Sequence, residues 1–298
     1  MGPLVSLIAL ILFAAVAGWW LLRSKSNPVL THHVFRTLAP SAEPAAPTPT
    51  VAATAMPVAT PLPTASPTSL ATGNPHGARL ALIVDDCGQW IATERGFVAL
   101  EIPLTLSVLP DVPYTNVIAT EASDAGKGVM LHLPMETLSG LNPGPGKVTT
   151  AMSDAQIVAQ VQSDLAEVPL ARGVNNHEGS KASADPRVMR AVIGVLAEHK
   201  LFFIDSKTNA ASVGEDTARQ MGVPTAARDV FLDNRADVAY SEAQLSAAAA
   251  IAQRTGSAIA IGHPRPTTLA AVRAMIPRLQ ALGVQFVLVQ DLAGKDGP

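Results

Sequence analysis

Short apolar runs recur through the last three-quarters of the chain: Leu80–Val84, Leu104–Val108, Gly128–Leu131, Arg172–Val174, Leu201–Ile204, the irregular Ala226–Leu232, Ala258–Ile261 and Val284–Val289. They are too short for helices and almost unbroken in apolar residues, as strands buried on both faces are. Between them lie amphipathic stretches, among them Asp154–Glu167, Asp185–His199, Glu242–Thr255 and Thr268–Leu282. Ser153-x-x-Gln156 and Ser241-x-x-Gln244 read as capping boxes that open helices. Gly126, Gly222, Gly256 and Gly283 each stand just before a strand, where helices end. Strand and helix in alternation predict an α/β fold with a parallel sheet. The expected architecture is a single distorted (β/α) barrel of about seven units over residues 79–298.

The polar residues have a regular place in this pattern. Asp85-Asp86, His132 with Glu136, Asn175-Asn176-His177, Asp205-Ser206 and His263 each follow the C-terminal end of an apolar run. In a parallel barrel those ends meet on one face, where active sites are built. Neighbouring side chains on extended backbone point apart, so Asp85 and Asp86 read as a base and a metal ligand, or as caps for a helix starting near Trp90. His132 and Glu136, spaced i, i+4 around Pro134, pair an imidazole with a carboxylate, donors that suit Zn²⁺. Asn175 to Ser180 reads as a tight turn dense in hydrogen-bonding groups, with His177 a candidate ligand. Asp205 and Ser206 are candidates to orient a histidine or bind substrate, and Asp229 and Asp233 to support the site or to cap loops. Cys87 reads as a small buried residue.

The N-terminal part differs. Pro3 to Leu22 carries no charge and is almost wholly apolar, with Trp19 and Trp20 near its end and Arg23 and Lys25 beyond. About 20 such residues cross a bilayer, so residues 1–25 are expected to be an uncleaved membrane anchor. Pro40 to Pro75 holds nine of the 24 prolines and one charge, Glu43. Residues 26–78 are therefore expected to be a disordered tether. The positive-inside rule would keep Arg23 and Lys25 in the cytoplasm, whereas a Pro/Ala/Thr tether suits an envelope space. The expected location is the inner membrane, single-pass, with the domain in the periplasm. Residues 79–298 carry a net charge of −5, which argues against nucleic-acid binding by phosphate neutralisation. One cysteine excludes an intrachain disulfide.

The runs Ile83–Gly88, Met130–Glu136 and Gly173–Ser180, followed in order by Phe202–Ser206, Arg228–Asn234 and Ala260–Pro264, resemble the divergent polysaccharide deacetylase family. More distantly they resemble metal-dependent polysaccharide deacetylases of the NodB-homology type. The resemblance covers nearly all of residues 79–298. It implies Asp85 as base, Asp86 and His132 as ligands of one divalent ion, expected to be zinc, and His263 as acid. A glutamate, Glu136, replaces the second histidine of the family's metal motif, and Asn175–Ser180 stands where an Arg-Pro motif would be. The third ligand is thus Glu136 or His177, with His177 preferred. Asn175, Asn176, Ser180, Asp205, Ser206, Asp229 and Asp233 are the expected substrate-side residues. The implied activity is removal of acetyl groups from an envelope or exported polysaccharide. The alternatives are a non-catalytic glycan-binding scaffold and a hydrolase of another amide or ester.

Overall fold

Strands buried on both faces organise the described part of the protein, residues 77–294 of a computed structural model. Nine strands form one sheet: β1 (Ala78–Cys87), β2 (Thr105–Val108), β3 (Gly128–Met135), β4 (Gly173–Glu178), β5 (Phe202–Asp205), β6 (Thr225–Ala227), β7 (Val230–Phe231), β8 (Ser257–Gly262) and β9 (Val284–Val287). The helices are α1 (Ile91–Val98), α2 (Thr115–Asp124), α3 (Asp154–Glu167), α4 (Pro186–His199), α5 (Gly214–Gln220), α6 (Val238–Thr255) and α7 (Pro266–Ala281). The strand order is β6-β5-β4-β3-β2-β1-β8-β7, with β9 also paired to β1, and every pairing between strands is parallel. The expected anchor and all but the last two residues of the expected tether lie outside the described residues, and Ala78, expected in the tether, opens β1. Among the described residues no helix is long and apolar enough to cross a membrane.

Two strands share their edges unequally, and this shapes the barrel. The lower half of β1 pairs with β9 (Ala78 with Val284) and the upper half with β2 (Ile83 with Thr105). The expected run Ala226–Leu232 is broken instead of continuous: β6 pairs with β5, then the chain crosses at Arg228-Asp229 and β7 pairs with β8. β6 and β7 do not close the sheet between them, so the structure is a half-barrel clad with helices.

Side-chain parity separates two cores. Leu80, Leu82, Val84, Leu131, Leu133, Val174 and Phe203 pack outward under the helices. Ala81, Ile83, Met130, Phe202, Ile204, Ile259 and Ile261 fill the barrel interior. Continuing each strand by the interior parity reaches Asp85, His132, Asn175, His177, Ser206 and His263 at the C-terminal end of the sheet. The sequence of the strands therefore aims these polar groups at the barrel mouth.

Helix ends follow local chemistry. Ser153 and Gln156 make the expected reciprocal capping box at α3. Ser241 does not begin a helix; α6 starts earlier, at Val238, because the Asp237 side chain accepts the Tyr240 N–H. Gly256 ends α6 with φ +94°, a conformation that costs a side chain little only when there is none.

Candidate metal and acid–base site

The mouth is centred on Asp86. An irregularity in the β1–β2 register falls between Val84 and Cys87, and Asp86 itself has φ +56°. Regular extended backbone would send Asp85 and Asp86 to opposite faces. The bulge turns Asp86 back, so both carboxylates reach the same imidazole: His132 Nε2 lies 3.6 Å from Asp85 Oδ2 and 3.2 Å from Asp86 Oδ1. Left-handed backbone in a non-glycine residue is sparsely populated and clusters at functional sites.

Asp86, His132 and His177 form a group of three that could hold a metal ion, their donor atoms all within 4.8 Å of one another. His177 Nδ1 is 2.8 Å from Asp86 Oδ1 and 3.1 Å from His132 Nε2. Metal–ligand bonds of ~2.0–2.1 Å set tetrahedral edges of about 3.3 Å, close to these separations. Asp86 Oδ1 is buried without a hydrogen-bond partner, although two imidazole nitrogens face it. A buried carboxylate oxygen left in that state is what a cation would satisfy, so the donor set fits a divalent ion. Burial opposes ionisation of Asp86, but His132 and His177 outweigh it and hold the carboxyl well below its usual range.

Asn175 orders the centre. Its Nδ2 donates to Asp85 Oδ1 (2.8 Å) and to Ser206 Oγ (3.2 Å). Its Oδ1 accepts from Ser107 Oγ and from His132 Nδ1, the latter at 2.7 Å. His132 therefore carries its hydrogen on Nδ1 and directs the Nε2 lone pair at Asp86 and His177. Asp85 is buried and its pKa is raised, chiefly by desolvation, with His132, Asn175 and His263 working against the rise. Burial opposes protonation of His132, yet Asp85 and Asp86 raise its pKa.

His263 follows β8, the strand paired with β1, and borders this group from there. Its Nδ1 donates to Asp233 Oδ1 at 2.9 Å, and its Nε2 lies 3.6 Å from Asp86 Oδ2. Asp233 is fully buried; its Oδ2 accepts the His263 N–H (2.8 Å) and the Thr268 hydroxyl (2.7 Å). Burial opposes protonation of the His263 ring, but Asp233 and Asp86 raise its pKa all the same. The edge of Phe231 meets the ring with centroids 5.3 Å apart.

The cavity has a volume of about 420 Å³ and brings Asp85, Asp86, His132, His177, Asn176, Ser206 and His263 together with Arg228 and Asn234. Six expected residues do not line it: Asn175 and Asp233 bond to residues that do, and the other four serve elsewhere. Glu136, past the end of β3, turns to the Thr150 N–H and hydroxyl (2.7 Å each) and to Lys181 Nζ (2.8 Å), which lower its pKa to about 2. That leaves His177 as the third donor of the group. Ser180 Oγ accepts the Leu138 N–H and so braces a loop. Asp205 has the outward parity of β5 and binds Ser212 Oγ and the Lys207 and Glu215 N–H groups near the start of α5. Asp229 accepts the Ile259 N–H at the strand crossing and lines a separate cavity. Asn175, Asn176 and His177 belong to β4, not to a turn; the turn comes at Glu178-Gly179, both with positive φ. The Cys87 thiol is buried and its pKa is raised by desolvation, which keeps it protonated. Ser107 is not among the expected residues; it is one of two hydroxyls inside Leu104–Val108, and its bond to Asn175 brings it into the site.

Comparison with known proteins bears on the family and the fold. The family described as divergent polysaccharide deacetylase matches residues 82–293. An uncharacterized protein of Haemophilus influenzae is 36% identical over 202 residues, 68% of this chain and 72% of that one. The crystal structure of an uncharacterized protein from Agrobacterium tumefaciens C58 superposes with a TM-score of 0.69 at 23% identity, covering 72% of this chain and 89% of that one. A CE4 family pseudoenzyme from Bacillus anthracis superposes with a TM-score of 0.51 at 12% identity, covering 76% and 68% of the two chains. The two structures share the fold. With the family's match spanning most of the half-barrel and all of the residues at its mouth, the chain belongs to the divergent polysaccharide deacetylase family.

Proposed function

We propose that the protein is a metal-dependent hydrolase that removes acetyl groups from an envelope or exported polysaccharide. The observation that carries this reading is that Asp85 and His263 both border the Asp86–His132–His177 group, each held by its own hydrogen-bond partner. Asp86, His132 and His177 would hold one divalent ion, zinc on this reading, because two imidazoles and a carboxylate are a set that zinc takes in open, catalytic sites. The chemistry such an ion supplies when bound is Lewis acidity toward water and an acyl carbonyl.

The chain's own groups do the rest. Asn175 fixes Asp85 Oδ1, which leaves Oδ2 to take a proton from the attacking water. Its raised pKa makes it a stronger base than an exposed aspartate. His263, with Nδ1–H on Asp233, presents Nε2–H to the leaving nitrogen or oxygen, and Asp233 stabilises the imidazolium. Asn176, Ser206 and Arg228 supply polar contacts along the wall.

A second reading, a glycan-binding scaffold without turnover, is favoured by one observation: a protein of similar fold is described as a pseudoenzyme. Acetate release separates the two. The full chain should release acetate from oligomers of N-acetylglucosamine, lose that activity with a chelator and regain it with zinc. Binding without release in the zinc-loaded protein would favour the scaffold.

A further inference from the structure

On the reading just given, the atom that His263 protonates belongs to the sugar, so the sugar ring must lie on the His263 side of the centre. On that side the chain presents Trp90. It shares a cavity of about 360 Å³ with Asp86, His263, Pro264 and Arg265. Its side chain is 51% exposed, the largest side chain among the exposed hydrophobic residues. Its indole offers a large rigid surface in the same cavity as Asp86 and His263.

The residue is firmly held at its backbone. Glu94 is fully buried, and its Oε1 accepts the N–H groups of Gly88 (3.0 Å), Gln89 (3.0 Å) and Trp90 (2.7 Å). Burying a carboxylate is costly unless it is hydrogen-bonded. Here it fixes the short segment that runs from the Asp86 bulge into α1. The Thr93 and Glu94 N–H groups return to Trp90 O and close the turn. The indole thus projects from a rigid turn and needs little ordering when a flat ligand arrives.

We infer that Trp90 is the stacking platform for the pyranose ring that carries the acetyl group. A gluco-configured pyranose has equatorial hydroxyls and axial C–H bonds, so its faces are apolar and its rim is polar. Such a face covers the indole while the hydroxyls stay in water or reach the polar rim at Arg265. This inference rests on the proposed function both for the sugar and for the side on which it sits.

The test is a calorimetric titration of the zinc-loaded full chain with a β-1,4-linked tetramer of N-acetylglucosamine and with an N-acetylated tetrapeptide. Wild type should bind the tetramer and not the peptide. Trp90→Ala should raise the tetramer Kd by about 3- to 10-fold, and Trp90→Phe should recover most of the loss. Zinc content and melting temperature should match wild type in both variants, since the side chain is half exposed and not part of the core. A wild-type Kd in Trp90→Ala would overturn the platform, as would equal affinity for the peptide. Failure of wild type to bind the tetramer would overturn the platform and the glycan reading together. Tetramer binding that depends on Trp90 without acetate release would support the platform and remove the hydrolase.

Discussion

Asp164 on α3 should make the domain lose stability as pH rises through neutrality. The side chain is 1% exposed, and one oxygen, Oδ2, is buried without a partner. The other oxygen accepts from Gln160 Nε2 at 2.9 Å. Gly146, in the loop that helps wall the space beside Asp86 and His177, lies so close that a Cβ there would collide with Asp164 Oδ1. Burial pushes the carboxyl up to about 7; Gln160 works against the rise, and the charges of Asp111 and Glu167 add to it. The unfolded value is 3.8, so the native state holds an extra proton between the two. The resulting stability is fully present below about pH 4 and is lost as pH rises through about 7. A shift of about three units at 1.36 kcal/mol each gives about 4 kcal/mol as an upper bound, reduced wherever the loop opens to hydrate the charge. Asp164→Asn keeps the acceptor for Gln160 and cannot ionise. Thermal melts of the full chain at pH 5 and pH 8 check this. The variant should gain on wild type by several degrees more at pH 8 than at pH 5, at about 2–4 °C per kcal/mol for a domain of this size. The same difference in melting temperature at both pH values would refute the reasoning.

Asn175→Ala removes one buried side chain that serves Asp85, Ser107, His132 and Ser206. It should cost about 2–4 kcal/mol in urea unfolding, because several buried groups lose their partner at once, and a cost below ~1 kcal/mol would contradict the network. A chain shortened to residues 79–298 should melt cooperatively in the absence of detergent; an insoluble product, beside a full chain that melts cooperatively in detergent, would move the boundary. A phosphatase fused at the C-terminus should be active, as expected for a domain in the periplasm. An inactive phosphatase beside an active cytoplasmic reporter would reverse that orientation.

The fold was readable wherever one local rule decided it. Asp154–Glu167 emerges residue for residue because Ser153 and Gln156 close both halves of a capping box there. At α6 two caps competed, and Asp237 begins the helix before Ser241. Apolar runs located the strands but not their ends, since parallel pairing carries β3 through His132 to Met135 and β4 through Asn175 to Glu178. The convergence of Asp85, His132, His177 and His263 was legible because each follows an apolar run. Their exact partners were not. Whether Asp86 turns inward depends on a bulge set by the neighbouring strand, and whether Glu136 reaches the centre depends on Thr150 and Lys181, which are remote in sequence. Asp205 could have been set aside from parity alone, because Phe203 shares its side of β5 and packs outward.

The central claim is that Asp86, His132 and His177 hold a metal while Asp85 serves as base, and paired metal and activity measurements on two variants test it most directly. Zinc content and acetate release from the N-acetylglucosamine tetramer would be measured for wild type, His132→Ala and Asp85→Asn. Loss of a ligand weakens metal affinity by at least the ~10–100-fold seen when its supporting hydrogen bonds are lost. His132→Ala should therefore emerge with little zinc and no turnover. Asp85→Asn should keep near-stoichiometric zinc and lose acetate release by ~100-fold or more, since a general base is needed for the reaction and not for binding. Equal zinc in wild type and His132→Ala, or undiminished acetate release in Asp85→Asn, would contradict the account.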